Sequence, residues 1–270
     1  MDKVEDKKLL TLDEKKKVML NILINFKDFC DKNNLKFYLI FGTLLGAVRH
    51  QGFIPWDDDI DVTMPRKDYE KLVSLMKENN KINDHIIFSS YEVDNNIWPF
   101  GKVYDTNTVA KTYDEPGLHH IWIDVFPLDN VSNSNKELNQ GKRLRSIMIA
   151  KLCQKNVNSK FRYFIKMIIK CLLCLVPARH YTKKVIKISK KYMDIDTKDV
   201  GFIDWGAGAK ERFLRSDFEG DTTLPFEGHM MPVPKEYDKL LKQSYGNYMQ
   251  LPPENKRVIH GFDAWYKEEK

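Results

Sequence analysis

Four aspartates crowd into five positions, Asp57, Asp58, Asp59 and Asp61, and apolar Ile60, Val62 and Met64 alternate with Asp59, Asp61 and Thr63. A period of two is the spacing of a half-buried strand. On a strand, residues i and i+2 share a face and stand about 6.5–7 Å apart. Asp57, Asp59 and Asp61 therefore point one way and Asp58 the other. Three carboxylates on one face repel each other, so some take up protons unless a cation sits among them. Mg²⁺ is the natural guest, with Mn²⁺ as the alternative, because such a hard ion binds through one or two carboxylates and completes its shell with substrate phosphates and water. An acid run of this kind also occurs as a solvated loop tip. Its flanks argue otherwise: strand periodicity within it, and upstream a second apolar strand, residues 37–41, ending at Gly42 and Thr43. The pattern reads as a metal-dependent enzyme acting on a phosphate-bearing substrate.

At 270 residues and 42% apolar, the chain can bury one large core or two modest ones. Residues 1–8 are charged and polar, with no apolar run behind them of the kind a signal peptide carries. Cys30, Cys153, Cys171 and Cys174 are scattered among apolar residues, which fits a reducing compartment. Cys171 and Cys174 have the spacing of half a zinc site, but no second pair completes it. The net charge of +6 hides a division: residues 136–191 hold 16 Lys or Arg and one acid, Glu137, so the rest of the chain is net acidic. A basic segment of this kind suits an anionic partner.

Along the chain, residues 11–34 read as a helix with a Thr11/Glu14 capping box and a stripe of Val18, Ile22, Phe26 and Phe29. Residues 42–50 read as a second helix. Pro65 opens a third, with Tyr69, Leu72, Val73 and Met76 inward. Strands are expected near 85–90, 98–104, 108–113 and 121–126, the last ending at Pro127. Residues 135–192 read as basic helices. Within them 161–176 is bulky and apolar, with Arg162, Lys166 and Lys170 on one stripe. It is too short for a clean membrane span and suits either a helix lying in a membrane interface or an ordinary core helix. A short helix over 234–245 should end at Gly246, and Pro252 and Pro253 should hold an extended segment before Arg257 and His260. The expected organisation is a catalytic core over 1–134, a basic helical subdomain over 135–195, and a C-terminal part over 196–270 that completes the active site.

A strand, a Gly-Thr turn into a helix and then a strand bearing Asp-x-Asp make the core of a nucleotidyltransferase fold. The expected class is thus α+β, a mixed sheet with flanking helices and a basic helical insertion. Gly42 lets the backbone approach a phosphate, the Thr43 hydroxyl can donate to it, and the helix N-terminus favours negative charge. Asp59 and Asp61, with Asp57, are the candidate metal ligands. Asp124, a lone acid in the apolar strand IWIDVF, costs several kcal/mol if unpaired. It is a metal ligand, a general base, or the partner of Lys102.

The stretch FGTLLGAVRHQGFIPWDDDID, residues 41–61, resembles the signature of the LicD family, which includes the fukutin-related proteins. KVYDTNT (102–108), IDVFPLD (123–129), LPFEGH (224–229) and YGNYMQLPP (245–253) extend the resemblance from about 35 to 260. The resemblance implies a donor such as CDP-choline or a related CDP-alcohol, and an acceptor that is a glycan or lipid-linked glycan. Bacterial members pass phosphocholine to sugars of teichoic acid or lipopolysaccharide and release CMP; the fukutin branch transfers ribitol phosphate instead.

On that reading Asp59, Asp61 and Asp124 are catalytic, and Asp57, Asp59, Asp61 and Asp124 hold metal. Gly42, Thr43, Arg49, His50, Asp57 and Lys102 bind substrate, Arg49 and Lys102 as phosphate clamps. Glu227, His229, Arg257 and His260 match the family's C-terminal motifs. Arg49 is otherwise a helix-terminal surface charge, and His50 a structural hydrogen-bonding residue. His119 and His120 line the site or fill a loop. Trp56 and Trp98 face a quaternary ammonium or pack in the core. The expected location is cytoplasmic, peripheral at an anionic inner membrane face. Competing functions are a CTP-dependent nucleotidyltransferase releasing pyrophosphate and a non-catalytic membrane-binding scaffold. Nucleic acid is not expected as a partner, because the basic segment lacks a stacking platform.

Overall fold

The computed structural model describes residues 7–112, 117–152, 176–257 and 261–268. In chain order its helices are α1 (Leu12–Lys32), α2 (Phe41–His50), α3 (Arg66–Glu78), α4 (Tyr91–Asp94), α5 (Lys136–Leu152), α6 (Ala178–Ser189) and α7 (Tyr237–Tyr245). Its strands are β1 (Tyr38–Leu39), β2 (Asp61–Pro65), β3 (Ile86–Ser89), β4 (Gly101–Thr112), β5 (His119–Val131), β6 (Asp199–Gly201), β7 (Arg212–Leu214), β8 (Thr223–Phe226), β9 (His229–Pro232) and β10 (Phe262–Tyr266). The class is α+β, as expected. The main sheet runs β1-β2-β5-β4-β10. It is antiparallel except at β2–β5, where Asp61 stands beside Asp124 and Pro65 beside Leu128. β4's outer edge is shared by β3 over its first half and β10 over its second.

Thr11 and Glu14 form the expected capping box, and α1 buries Val18, Met19, Ile22, Leu23, Phe26 and Cys30. The helix lies against β4 and β5. The other three cysteines lie outside the described residues. α3 follows Pro65 and buries Tyr69, Leu72, Val73 and Met76.

Four expectations change. The strand at 37–41 shortens to Tyr38–Leu39, because Phe41 already turns into α2 at φ 50°. That left-handed backbone costs on the order of 1–3 kcal/mol for a side chain like this. In return its ring packs edge-on to Phe126 at 5.6 Å and against Phe202 at 4.9 Å. The acid stretch becomes a strand only at Asp61; just before it the Ile60 carbonyl accepts the Asp124 N–H at 2.9 Å, and the Asp57 N–H turns back to the Ile54 carbonyl at 3.0 Å. The two strands expected over 98–113 are one, interrupted where the register shifts between Asp105 and Ala110. There Asn107 N–H donates to Asp105 Oδ1 at 2.9 Å and the Thr108 hydroxyl to the Asp105 carbonyl at 2.8 Å, a bulge closed by its own side chains. Finally, β5 does not stop at Pro127. Its ladder with β4 ends at Val125 and its ladder with β6 begins at Asp129, so Pro127 sits where neither antiparallel neighbour needs an N–H.

In the basic segment α5 and α6 pack on each other, and the turn after α6 meets β5. A Cβ at Gly141 would come within 1.9 Å of the Ile203 carbonyl, so glycine lets α5 lie flush on the chain that follows β6. On the other side, the Thr182 hydroxyl donates to the Ile97 carbonyl at 2.6 Å, and Lys190 bridges Glu70 and Glu92 at 2.7 Å each. β6, β7 and β10, from the C-terminal part, belong to the same sheet as the N-terminal strands. α7 ends at Gly246 as expected, at φ 67°. A 3₁₀ turn, Glu254–Lys256, separates Pro253 from Arg257. Among the described residues no helix is long and apolar enough to cross a membrane. The apolar stretch 161–176 lies outside them.

Candidate active site

A cavity of about 540 Å³ opens where α2 begins. Phe41, Gly42, Trp56, Asp57, Asp59 and Asp61 line it from the N-terminal half, with Arg49 from the end of α2. Tyr245, Asn247, Tyr248, Gln250, Pro252 and Arg257 line it from the C-terminal part. Asp57, Asp59 and Asp61 thus share one face, while Asp58 turns away and is buried, as the alternation requires. Gly42 has a specific steric reason: a Cβ there would stand 3.0 Å from Asp57 Oδ2. Thr43 is buried outside the cavity wall, and its Oγ1 accepts the Asp61 N–H at 2.8 Å. It fixes the backbone that carries Asp61.

Burial pushes the carboxyls of Asp59 and Asp61 well above the ordinary range. The neighbouring charges of Asp61 and Asp57 add to this at Asp59, as Asp124 and Asp57 do at Asp61, where Lys102 pulls the other way. Asp124 lies outside the cavity wall, opposite Asp61 across β2–β5. Lys102 Nζ donates to its Oδ1 at 2.6 Å and lies 4.6 Å from the Trp122 ring centre. The expected phosphate clamp at Lys102 is therefore a buried partner of Asp124, because register places the two side by side on β4 and β5.

Arg49 and Arg257 are the cations in the cavity wall. Arg49 Nη1 donates to the Tyr248 carbonyl at 2.9 Å, which ties α2 to the C-terminal wall. Arg49 Nε donates to His50 Nε2 at 2.9 Å. Burial, then the charges of Arg49 and Lys16, hold His50 below its usual value, and the ring is outside the wall. The Arg257 guanidinium lies 4.3 Å from the Trp56 ring centre, and its Nε is buried without a hydrogen-bond partner among the described residues. Trp56 thus presents its face to an arginine.

Other expected residues stand elsewhere. Glu227 is exposed, and its Oε1 accepts the Phe53 N–H at 3.0 Å, which clasps the turn leading to the acid cluster. His229 is exposed at the start of β9, outside the wall. Trp98 is a core residue stacked on Phe100 and edge-on to Trp205. His119 and His120 occupy the first two positions of β5, and His120 Nδ1 meets the Thr108 carbonyl. Neither lines the cavity. His260 lies outside the described residues.

Sequence reasoning singled out none of Tyr245, Asn247, Tyr248 and Gln250, although YGNYMQLPP carried them. The available signal was Gly246: a helix stopped by a glycine sends the next residues back across the preceding turn. Tyr245 is half exposed and stands in the same cavity wall as Asp57, Asp59 and Asp61.

Residues 34–151 match the family model described as LicD/FKTN/FKRP, nucleotidyltransferase domain. The lipopolysaccharide cholinephosphotransferase LicD of Haemophilus influenzae is 30% identical over 269 residues, covering 96% of this chain and 99% of that one. This chain belongs to the LicD family. It is accordingly an enzyme, a transferase of a phosphate-containing group, which removes the non-catalytic scaffold. Uncharacterized proteins of Rickettsia typhi (45% over 58 residues, 21% of this chain and 19% of that one) and Rickettsia prowazekii (49% over 47 residues, 17% and 18%) match shorter stretches.

Proposed function

We propose that this LicD-family enzyme moves phosphocholine from CDP-choline to a sugar of lipopolysaccharide or a related surface glycan, such as teichoic acid, and releases CMP. The observation that carries the proposal is the convergence of Asp57, Asp59 and Asp61 with Arg49 and Arg257 on one cavity. The Haemophilus protein similar to this chain along its length is named for cholinephosphate transfer.

The donor set fits Mg²⁺. Among the described residues no group of three or more acids, histidines or cysteines is placed to hold a metal ion. Mg²⁺ does not need one, since it takes one or two carboxylates and leaves its other positions to phosphate and water. Asp59 and Asp61 would hold it, and it would neutralise charge on the diphosphate and on departing CMP. Arg257, with a buried Nε awaiting an acceptor, grips the donor phosphates; Arg49 faces them from the end of α2. In the reaction the acceptor oxygen forms its bond to the choline-bearing phosphorus. The bond from that phosphorus to the CMP oxygen breaks, and the acceptor hydroxyl loses its proton. Asp124, held by Lys102 beside Asp61, is the third carboxylate, as base or as further ligand.

A thermal-shift comparison of CDP-choline, CDP-ribitol, CDP-glycerol and CTP, each with and without Mg²⁺, tests the donor. A selective ligand at 100 times its Kd stabilises by about 2.7 kcal/mol. CDP-choline is expected to give the largest shift, and turnover with acceptor to yield CMP. Pyrophosphate formed from CTP would instead establish the nucleotidyltransferase reading.

The enzyme's place is peripheral, at the inner face of the membrane. Lys183, Lys184 and Lys187 of α6 are exposed, and that helix contains no acid. Such a face attracts anionic headgroups, at about 1 kcal/mol per Lys near the surface. Binding to phosphatidylglycerol vesicles is expected at low salt, weakening as salt rises, and lost when the three lysines become glutamates. Equal binding by that variant would move the contact off α6.

A further inference from the structure

The cavity wall is chemically divided along the chain. Its N-terminal residues bring three carboxylates and Arg49, whereas the stretch from Tyr245 to Pro252 brings no charge. That stretch is anchored through Tyr248. Tyr248 is buried, its hydroxyl donates to Asp238 Oδ1 of α7 at 2.7 Å, and its carbonyl accepts from Arg49 Nη1 of α2 at 2.9 Å. Tyr245, Asn247 and Gln250 are left exposed in the wall. Among the described residues the Tyr245 hydroxyl and the Asn247 and Gln250 side-chain amides make no hydrogen bond. Gln243, two positions before Tyr245, gives the contrast: its amide stands outside the wall and donates to the carbonyls of Lys210 at 2.9 Å and Arg212 at 2.8 Å. Met249 and Leu251, 57% and 50% exposed, add apolar surface to the same stretch.

We propose that Tyr245, Asn247 and Gln250 form the acceptor subsite, and that its ligand is a pyranose ring of the glycan. The proposal rests on reading the cavity as the site of transfer. A sugar ring carries hydroxyls around its edge and C–H groups on its faces. A planar amide offers one acceptor and two donors, so Asn247 and Gln250 suit neighbouring hydroxyls. A phenol ring offers a flat apolar face with a polar tip, which suits the C–H face of the sugar. Tyr245 is the ring with a face to spare: Trp56 is covered by Arg257, Phe41 packs on Phe126 and Phe202, and Tyr248 is buried. An uncharged wall also distinguishes this ligand from the donor diphosphate, for which Arg49 and Arg257 supply the cations. Size points the same way. A glycan chain exceeds a cavity of about 540 Å³, so only the sugar to be modified enters, and it meets the residues that face solvent. Tyr245, Asn247 and Gln250 do so, while Asp59 and Asp61 are only partly exposed.

Saturation-transfer NMR with the methyl glycosides of galactose, glucose and N-acetylgalactosamine, each with and without CMP, reads the subsite directly. Wild type is expected to pass magnetisation to the ring protons of at least one of the three. Tyr245→Ala should weaken that sugar's binding about fivefold, the scale of one aromatic contact, while Tyr245→Phe retains it. Asn247→Ala and Gln250→Ala should change which of the three sugars binds best, since each removes the partner of particular hydroxyls. Calorimetry of CDP-choline with Mg²⁺ on the same variants should give a Kd within about twofold of wild type. Tyr245 is 46% exposed, so its truncation leaves the core intact. Should Tyr245→Ala nonetheless melt early, Tyr245→Leu keeps the bulk without the aromatic face and supplies the comparison. A weakened CDP-choline Kd with sugar binding unchanged would overturn the proposal and give the stretch to the cytidine or choline of the donor. Wild type that binds none of the three sugars, or sugar binding indifferent to the alanine substitutions, would overturn it too. Wild type that binds sugar but no CDP donor would overturn the donor reading instead, so the two failures stay distinct.

Discussion

Asp59→Asn and Asp61→Asn are each expected to lower phosphocholine transfer by about 10³-fold or more, a loss of the size seen when charge stabilisation is removed from a transition state. The same substitutions should raise the melting temperature of the metal-free protein at neutral pH. The sign follows from the titrations. Burial and neighbouring carboxylates raise both groups above their ordinary value of 3.8. A carboxyl with a raised folded-state pKa favours folding when protonated, and that stability is lost as pH rises through the folded value. At neutral pH, above the unfolded value of 3.8, the two raised groups therefore cost the fold stability, and an uncharged amide relieves that cost. Mg²⁺ should relieve the same repulsion, so it should raise the melting temperature of wild type more than that of either variant. Melting scans with and without Mg²⁺, alongside CMP release, check this. Variants that lose activity but melt like wild type, with an unchanged Mg²⁺ response, would show that the carboxylates do not repel in this cavity.

Much of this site was legible before any coordinates. The Asp57, Asp59 and Asp61 face follows from a period of two, and all three line the cavity although only Asp61 lies in a strand. Capping at Thr11 and the start of α3 after Pro65 were equally legible, since the signals are local. What was not legible is pairing across the sheet. Lys102 and Asp124 are 22 positions apart, and only the β4–β5 register shows that the first neutralises the second. The same holds for Thr43, whose hydroxyl turns to the Asp61 backbone, and for Glu227, which clasps Phe53 from a hairpin far along the chain. A motif reports that a polar residue matters; its partner depends on register and on which loops meet.

The largest effect on stability is expected away from the cavity, at Arg66. Its side chain is buried, with Nε donating to Asp129 Oδ1 at 2.7 Å and Nη1 to Glu70 Oε1 at 3.2 Å. Asp204 is buried nearby; its Oδ1 accepts the Trp205 N–H at 2.9 Å, and its Oδ2 has no partner among the described residues. Burial pushes the Asp129 carboxyl from 3.8 to about 6 even though Arg66 pulls it down, and burial with the Asp129 charge pushes Asp204 well above its usual value. Arg66→Met leaves two buried carboxyls without their cation, which costs about 3–5 kcal/mol, or roughly 10 °C in melting temperature. Both acids have raised values, so their contribution to folding is present when they are protonated and is lost as pH rises through the folded pKa. For Asp129 that window runs from 3.8 to about 6. The Arg66→Met deficit should accordingly be greatest near pH 8 and shrink toward pH 5, as the uncompensated carboxyls take up protons. Arg66→Met combined with Asp129→Leu and Asp204→Leu, which removes the charges altogether, should recover much of the loss. A deficit that is the same at pH 5 and pH 8 would mean that Arg66 is held for its packing on Tyr69, whose ring centre lies 5.2 Å away, and not for its charge. The consequence reaches the cavity, because Asp204 follows Phe202 by two positions, and Phe202 is the ring that holds Phe41 at the cavity wall.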